Sequence, residues 1–535
     1  MSIRRHRPAA LAAGALALSV MAAACGQSAK VLGPSTAATG SMVALAPAPP
    51  GHRAAVAPAL SVAQENQLPG TRAWQLTAKA GSGAVEGYVS DQEIQPGRVE
   101  RFYVNAPHAR WVRVELFRMG WYGGRGGRLV LRSGERPATA QPPCHHDDTT
   151  GLTECRWHPT WSVRLPASSV SGVYIGKLVT SAGAQKDTLL VVRAPRPGPL
   201  LAQLETSTYE AYNDWGGGDL YPSVRQVTIT GSTQGVEVSY DRPYDTVTGA
   251  GQLFARDIAM VRFLEREGYP VTYTTDTGVD LHPRELLGAR AVLDVGHSEY
   301  WSQRAHDAYA AARDAGVNLA FFTSDTMGWR VRFGRATPAS SEAGHPDHVI
   351  VAYKEHALLD PDRVRPSGRF PDGGASVTST VYENCITPRL SLAAGPPVYA
   401  YYGWSPSPAL TPRWLFAGTG FTAASIVPGI VGYELDRVAP LPPAPVHLIG
   451  GGGAVCQGRV AGSDRTYTTL YRAGSGALVF SSGTMGWQLA LSPVPATSPD
   501  APRTADPRLV RLTENLMARM LGASHRAPGR SRLRA

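Results

Sequence analysis

Cysteine is scarce in this sequence: there are five in 535 residues, and one of them, Cys25, stands apart near the amino terminus. Long apolar runs are scarcer still. The only one, Ala9 to Ala24, is too short and wrongly flanked for a permanent membrane span, so its removal is expected. Nucleic-acid motifs are lacking despite a formal charge of +10 and a pI near 9.4. The arginines are spread along the chain, with one dense cluster at Arg526, Arg530, Arg532 and Arg534, so the charge reads as a soluble cationic surface. The nucleophile-elbow pattern Gly-x-Ser-x-Gly is also missing around the one serine that could use it: Gly296-His297-Ser298-Glu299-Tyr300 has no second glycine. That excludes the usual serine hydrolase, and no cysteine sits at such a turn either.

The first 25 residues have the grammar of an export signal. Arg4, Arg5 and Arg7 precede the apolar stretch, and Ala22-Ala23-Ala24-Cys25 resembles a bacterial lipoprotein processing box, with Ala22 where Leu is usual. This makes Cys25 the expected lipidated first residue of a cell-envelope protein, with plain secretion as the alternative, and a lipid anchor the only contact with a membrane. In an oxidising compartment the other four thiols pair. Cys144 and Cys155 are near neighbours, leaving Cys385 and Cys456 as a long-range pair. The segment Cys144-His145-His146-Asp147-Asp148, with Glu154, Cys155 and His158, could instead be a metal cluster, but its spacing matches no zinc pattern.

From residue 26 to 84 the chain is rich in Ala, Pro, Gly and Ser with almost no periodic apolar pattern, which predicts a disordered tether. The remainder exceeds what one core usually serves, so more than one domain is expected. Over 85–195, period-two runs such as Trp111-Val112-Arg113-Val114-Glu115-Leu116-Phe117-Arg118 and Gly172 to Leu178 predict an antiparallel β-sandwich. Pro195, Pro197 and Pro199 mark a joint. Over 196–522, strands at Leu200–Leu204, Val271–Thr274, Arg290–Gly296, Asn318–Thr323 and Ala477–Phe480 alternate with helices at Phe254–Glu267, Gln303–Ala315 and Pro507–Leu521. That alternation predicts a parallel sheet covered on both faces, a three-layer α/β core. The Pro- and Gly-rich stretch 336–446 breaks it and is read as an elaboration at the sheet edge, and 523–535 as a disordered basic tail. Thr326-Met327-Gly328-Trp329 is echoed by Thr484-Met485-Gly486-Trp487.

Gly296-His297-Ser298-Glu299-Tyr300-Trp301-Ser302 comes directly after one of these strands. A strand that ends in Gly and releases His, Ser and Glu before a helix places three reactive groups at the carboxyl edge of a sheet, where open α/β proteins keep their sites. Polar and aromatic groups also gather in Thr208 to Gly217, Ser239 to Tyr244, Ser324-Asp325-Thr326 and Val431 to Asp436. The plain alternative is that Glu299 caps the helix starting near Ser302 and His297 satisfies the sheet edge.

Glu86-Gly87-Tyr88, Phe117-Arg118-Met119-Gly120-Trp121-Tyr122-Gly123-Gly124, Ser171-Gly172-Val173-Tyr174, Tyr209 to Gly217 and Gly296 to Trp301 together resemble the large (beta) subunit of N,N-dimethylformamidase and its relatives, over about residues 85 to 520. The resemblance implies a β-sandwich joined to a glutamine-amidotransferase-like three-layer α/β domain. It also implies a mononuclear iron amidohydrolase with two Tyr and one Glu as ligands. On these residues Glu299 is the expected carboxylate ligand, with His297 as its supporting partner. Tyr212, or Tyr209, and Tyr174, with Tyr244 as the alternative, are the expected phenolates. Lys354 and Glu434 match the family's catalytic polar pair, and Asp325 stands where the family leads one to expect Asn.

Phenolate and carboxylate are hard anionic donors suited to iron, which would activate water against an amide carbonyl. Glu434 would carry a proton and Lys354 would stabilise negative charge. The resulting expectation is an exported iron-dependent hydrolase of small amides. The family's small companion subunit is not part of this chain, and a homo-oligomer stays open. The alternative is a non-catalytic envelope lipoprotein of the same fold that binds a glycan or peptide.

Overall fold

The computed structural model describes residues 60–390, 398–457, 462–492 and 501–522. The export signal, Cys25 and the basic tail lie outside them, as does the tether up to residue 59. The described part of that tether packs against the body. Ser61 caps the short helix Val62–Glu65 in a reciprocal capping box with Gln64, and Trp74 is buried, stacked 5.6 Å from Phe254.

The described residues form a mixed α/β structure of several sheets and few helices, and no sheet among them closes into a barrel. Trp111–Met119 pairs antiparallel with Gly172–Thr180, which pairs with Gln185–Val192, and these anchor a six-stranded sheet. Glu86–Val89, Val99–Asn105 and Pro159–Arg164 form a three-stranded sheet. Val112, Val114, Leu116, Leu178 and Leu190 from the first share one apolar cluster with Phe102, Val104 and Trp161 from the second. Gly176 is required here: a Cβ would stand 2.5 Å from the Phe102 ring.

The intervening residues of the six-stranded sheet, among them Phe117, Met119, Val173, Ile175, Leu189 and Val191, enter a different cluster with Leu200, Ile258, Met260 and Phe263. That sheet is therefore buried on both faces, and its second face is continuous with the core of the carboxyl-terminal α/β part. Arg118 and Glu265 form a fully buried two-point ion pair across this junction, both contacts at 2.8 Å.

The carboxyl-terminal part is built on a nine-stranded sheet. Val271–Thr275, Leu200–Leu204, Ala291–Val295, Asn318–Phe322 and Leu478–Ser481 lie side by side and parallel. Alternation sends Leu293, Val295, Ala320, Phe322 and Phe480 to the cluster with helices Ile258–Arg266 and Pro507–Leu521, and Val292, Leu319, Phe321 and Val479 to the cluster with helix Gln303–Asp314. The terminal helix starts where Asp506 accepts from the amides of Arg508 and Leu509, and it buries Leu509, Leu512, Leu516 and Met520. The parallel strands stand where the sequence leads one to expect them, and Gly462–Arg472, Val446–Cys456, Tyr402–Pro406 and Val427–Val431 extend the sheet antiparallel. Most of these strands come from or adjoin the Pro- and Gly-rich stretch, whose composition hides their period. The same stretch supplies the ribbon Thr380–Ile386 with Glu434–Val438, fastened by the disulfide Cys385–Cys456.

Candidate functional site

The parallel strands end in register at Leu204, Thr275, Val295 and Phe322, and polar loops leave from that edge. After Val295 the chain turns at Gly296, whose φ is +104° and whose Cβ would lie 1.8 Å from Asp257 Oδ1, so no side chain fits. Ser298 is then pinned inward. Its amide donates to Thr323 Oγ1, its hydroxyl to Asp294, and Trp301 Nε1 donates back to its carbonyl at 3.0 Å. With Ser298 held on one side, His297 and Glu299 project on the other. Helix capping falls to Ser302, which accepts from the amide of Ala305, so Glu299 is free for another role.

Glu299 collects four donors or near-donors. Tyr212 donates at 2.8 Å to Oε2, Tyr221 at 2.9 Å to Oε1, and Trp329 Nε1 at 2.7 Å to Oε1. His297 Nε2 lies 3.5 Å from Oε2 and 3.1 Å from Glu434 Oε2, while Nδ1 faces the Tyr433 hydroxyl at 3.1 Å. The two phenols are themselves 2.7 Å apart, and Tyr300 donates to Tyr221 at 2.9 Å. Lys354 places Nζ 3.4 Å above the Tyr221 ring and donates to the carbonyl of Leu220. Asp325 and Lys354 both hold left-handed backbone, each with φ +51°, a conformation that packed non-glycine residues rarely keep without cause.

The electrostatics separate the carboxylates. Burial would raise Glu299, but the hydrogen bond and charge of His297, with Lys354 and Tyr212, hold it below its ordinary value. Burial and the charge of Glu299 keep Glu434 above its ordinary value in spite of His297. Burial disfavours charge on His297, yet Glu434 and Glu299 raise it. Burial and the nearby carboxylates drive Asp325 well up, burial and Glu299 do the same to both phenols, and burial depresses Lys354. His297 Nε2, Glu434 Oε2 and Asp325 Oδ1 are buried without an aligned hydrogen bond, although the first two are close. A water-poor site dense in oxygen donors and short of positive charge suits a cation.

The geometry of the donors suits one as well. Oxygens bound about 2.0–2.2 Å from one ion and at right angles stand about 2.8–3.1 Å apart. Tyr212, Tyr221 and Glu299 are 2.7 to 2.9 Å from one another. These three residues could hold a metal.

Of the residues singled out in the sequence, His297, Glu299, Tyr212, Lys354, Glu434 and Asp325 fall in one neighbourhood. Tyr174 does not. It occupies the buried cluster between the two antiparallel sheets and donates to the carbonyl of Val170 at 2.7 Å, because its place in the strand alternation turns it away from the α/β core. Tyr209 and Tyr244 are core residues whose hydroxyls have no hydrogen-bond partner among the described residues, and they do not join Glu299. Tyr221 takes the second phenol position. The available signal was that it ends the same aromatic-rich segment, nine residues after Tyr212, beyond the glycines that close the recognisable motif. Cys144 bonds to Cys155, which removes both sulfurs from any metal reading of that loop. The echoed tetrapeptides serve different ends: Trp329 binds Glu299, whereas Trp487 donates to Thr513.

Among the described residues no helix is long and apolar enough to cross a membrane. No curated protein matches the sequence. The model of the family described as N,N-dimethylformamidase beta subunit-like, C-terminal, matches residues 113–501, well over half of the chain and the whole of the site above, so the protein belongs to that family.

Proposed function

We propose that this protein is an exported iron-dependent hydrolase of small amides, in which Tyr212, Tyr221 and Glu299 hold the ion. The observation that carries this reading is the convergence of two phenols and a carboxylate at metal-ligand spacing around His297. The architectural reading belongs to the same proposal: an antiparallel sandwich joined to a three-layer, glutamine-amidotransferase-like core. The two disulfides accord with an oxidising compartment, and Cys25 is the proposed point of lipid attachment.

When bound, iron supplies polarisation of an amide carbonyl and acidification of water. The protein does the rest. Lys354, above the Tyr221 ring, compensates phenolate charge. His297 orients Glu299 and stands within proton-transfer distance of Glu434, whose carboxyl is held above its usual range and is the proposed carrier of a proton to the leaving nitrogen. Trp329 and Tyr300 are buried and shield the carboxylate of Glu299 from bulk water. The buried state of Trp301, Trp329 and Tyr433 argues against a glycan or peptide platform, which needs rings open to solvent.

The test is metal analysis of protein purified without chelators. One iron per chain and a visible phenolate band are expected; Tyr212→Phe and Tyr221→Phe weaken the band, Glu299→Ala removes the metal, and Tyr174→Phe changes neither. Colourless, iron-free protein, or full iron in Glu299→Ala, would overturn the ligand assignment. Hydrolysis of short-chain formamides, with and without a companion subunit, then reports the activity.

A further inference from the structure

A second group of metal-ligating side chains lies away from Glu299. Asp91, in the turn between Glu86–Val89 and Glu93–Ile94, meets His345 and His348, which precede strand Val349–Val351, and one ligand atom from each lies within 4.8 Å of the others. None of the three bonds to Tyr212, Tyr221, Glu299, His297 or Glu434 among the described residues. Two features fix their chemistry. The ring of His345 is set by Nδ1, 3.1 Å from the Pro346 carbonyl, which can only accept. Nδ1 is therefore the nitrogen that donates, and Nε2 stands 3.3 Å from Asp91 Oδ1. An imidazole nitrogen and a carboxylate oxygen at that separation can both ligate one ion.

His348 repeats the arrangement. Its Nδ1 is 2.9 Å from Asp241 Oδ1, and Asp241 is held in turn by Ser340 Oγ at 2.6 Å, which leaves Nε2 as the ring nitrogen not engaged with Asp241. A carboxylate behind a histidine is how proteins orient and strengthen a metal-binding imidazole. The two rings are 4.2 Å apart. They line a cavity of about 70 Å³ together with Asp91, His282 and Asp347. Asp347 keeps a left-handed φ of +58° and has a buried Oδ2 with no hydrogen bond. The cavity has room for water beside an ion.

We propose that Asp91, His345 and His348 bind a zinc ion, which clips the turn before Glu93–Ile94 to the loop before Val349–Val351. Two imidazoles and one carboxylate suit zinc, and water or a further pocket residue fills the fourth position. This inference does not rest on the iron reading, since the two donor sets share no residue.

The experiment loads the full chain with zinc and measures zinc and iron per chain in parallel. His345→Ala and Asp91→Asn, both at partly exposed positions, should lose the zinc equivalent while the circular dichroism and any iron stay as in the parent. Glu299→Ala should keep its zinc. Zinc should also raise the thermal midpoint of the parent and not of His345→Ala. The proposal is overturned if the parent takes up no stoichiometric zinc, if both variants bind it as the parent does, or if zinc disappears in Glu299→Ala.

Discussion

Asp325 is an acid where an amide is expected, and its surroundings reconcile the two. Burial and the charges of Glu299, Glu434 and Asp436 drive its carboxyl well above the ordinary range, which favours the neutral form, the closer counterpart of an Asn side chain. On the proposed function, Asp325→Asn should keep hydrolytic activity and hold it to more alkaline pH than the parent, read from paired pH–rate profiles. An equal loss of activity at every pH would show that the carboxyl itself is needed. Its neighbour Asp436 accepts from the Asp325 amide at 2.8 Å and from Thr380, and burial pushes it up to about 7. Between about 4, the ordinary value, and about 7 only the folded state keeps this proton, so stability falls as pH rises through that window and the loss is complete above it. Asp436→Asn should flatten the fall of thermal midpoint with pH there, by a few kcal/mol at most. An unchanged slope would mean that Asp436 is ionised in the native protein.

At the level of elements, regular periods in the sequence correspond closely to what forms. Alternation over Trp111–Met119 and Gly172–Thr180, apolar runs at Leu200–Leu204 and Ala291–Val295, and the one-sided Leu509, Leu512, Leu516 and Met520 all stand where the pattern puts them. Helix Phe254–Glu267 begins later, at Ile258, because residues before it form turns. The antiparallel half of the large sheet was not legible: strands such as Val446–Cys456 contain Gly450 to Gly453, with no alternation to read. In the site, His297 and Glu299 were legible because a glycine-ended strand makes a local signal. The choice of Tyr221 over Tyr174 depends on which sheet face meets which core, a tertiary fact with no local trace. Gly296 makes the local signal testable. In Gly296→Ala the new Cβ collides with Asp257 and the positive φ is disfavoured, so soluble yield or thermal midpoint should fall sharply, by more than the roughly 1 kcal/mol of a simple glycine-to-alanine backbone effect. A variant as stable as the parent would mean that the turn after Val295 differs from the one described.

Across the whole molecule, the six-stranded sheet serves two cores at once, and that governs how the lobes depend on each other. Glycines make room for the ion pair at the junction: a Cβ at Gly120 would stand 2.2 Å from Glu265, and one at Gly172 2.8 Å from Arg118. Arg118→Leu leaves Glu265 buried without its cation and should cost roughly 3–5 kcal/mol, with part of it restored by Glu265→Leu in the double variant. The two disulfides act on different scales. Cys144–Cys155 closes a separation of 11 residues, and Cys385–Cys456 one of 71. If the main effect is on the entropy of the unfolded chain, the longer closure contributes about 4 kcal/mol and the shorter about 3 kcal/mol. The longer one also anchors the ribbon that begins at Glu434 beside His297. Cys385→Ser with Cys456→Ser should therefore lower stability more than Cys144→Ser with Cys155→Ser, and, on the proposed function, it alone should disturb proton transfer. Denaturant midpoints and kcat measured on both pairs decide this; equal loss of kcat in the two would remove the link between that disulfide and Glu434.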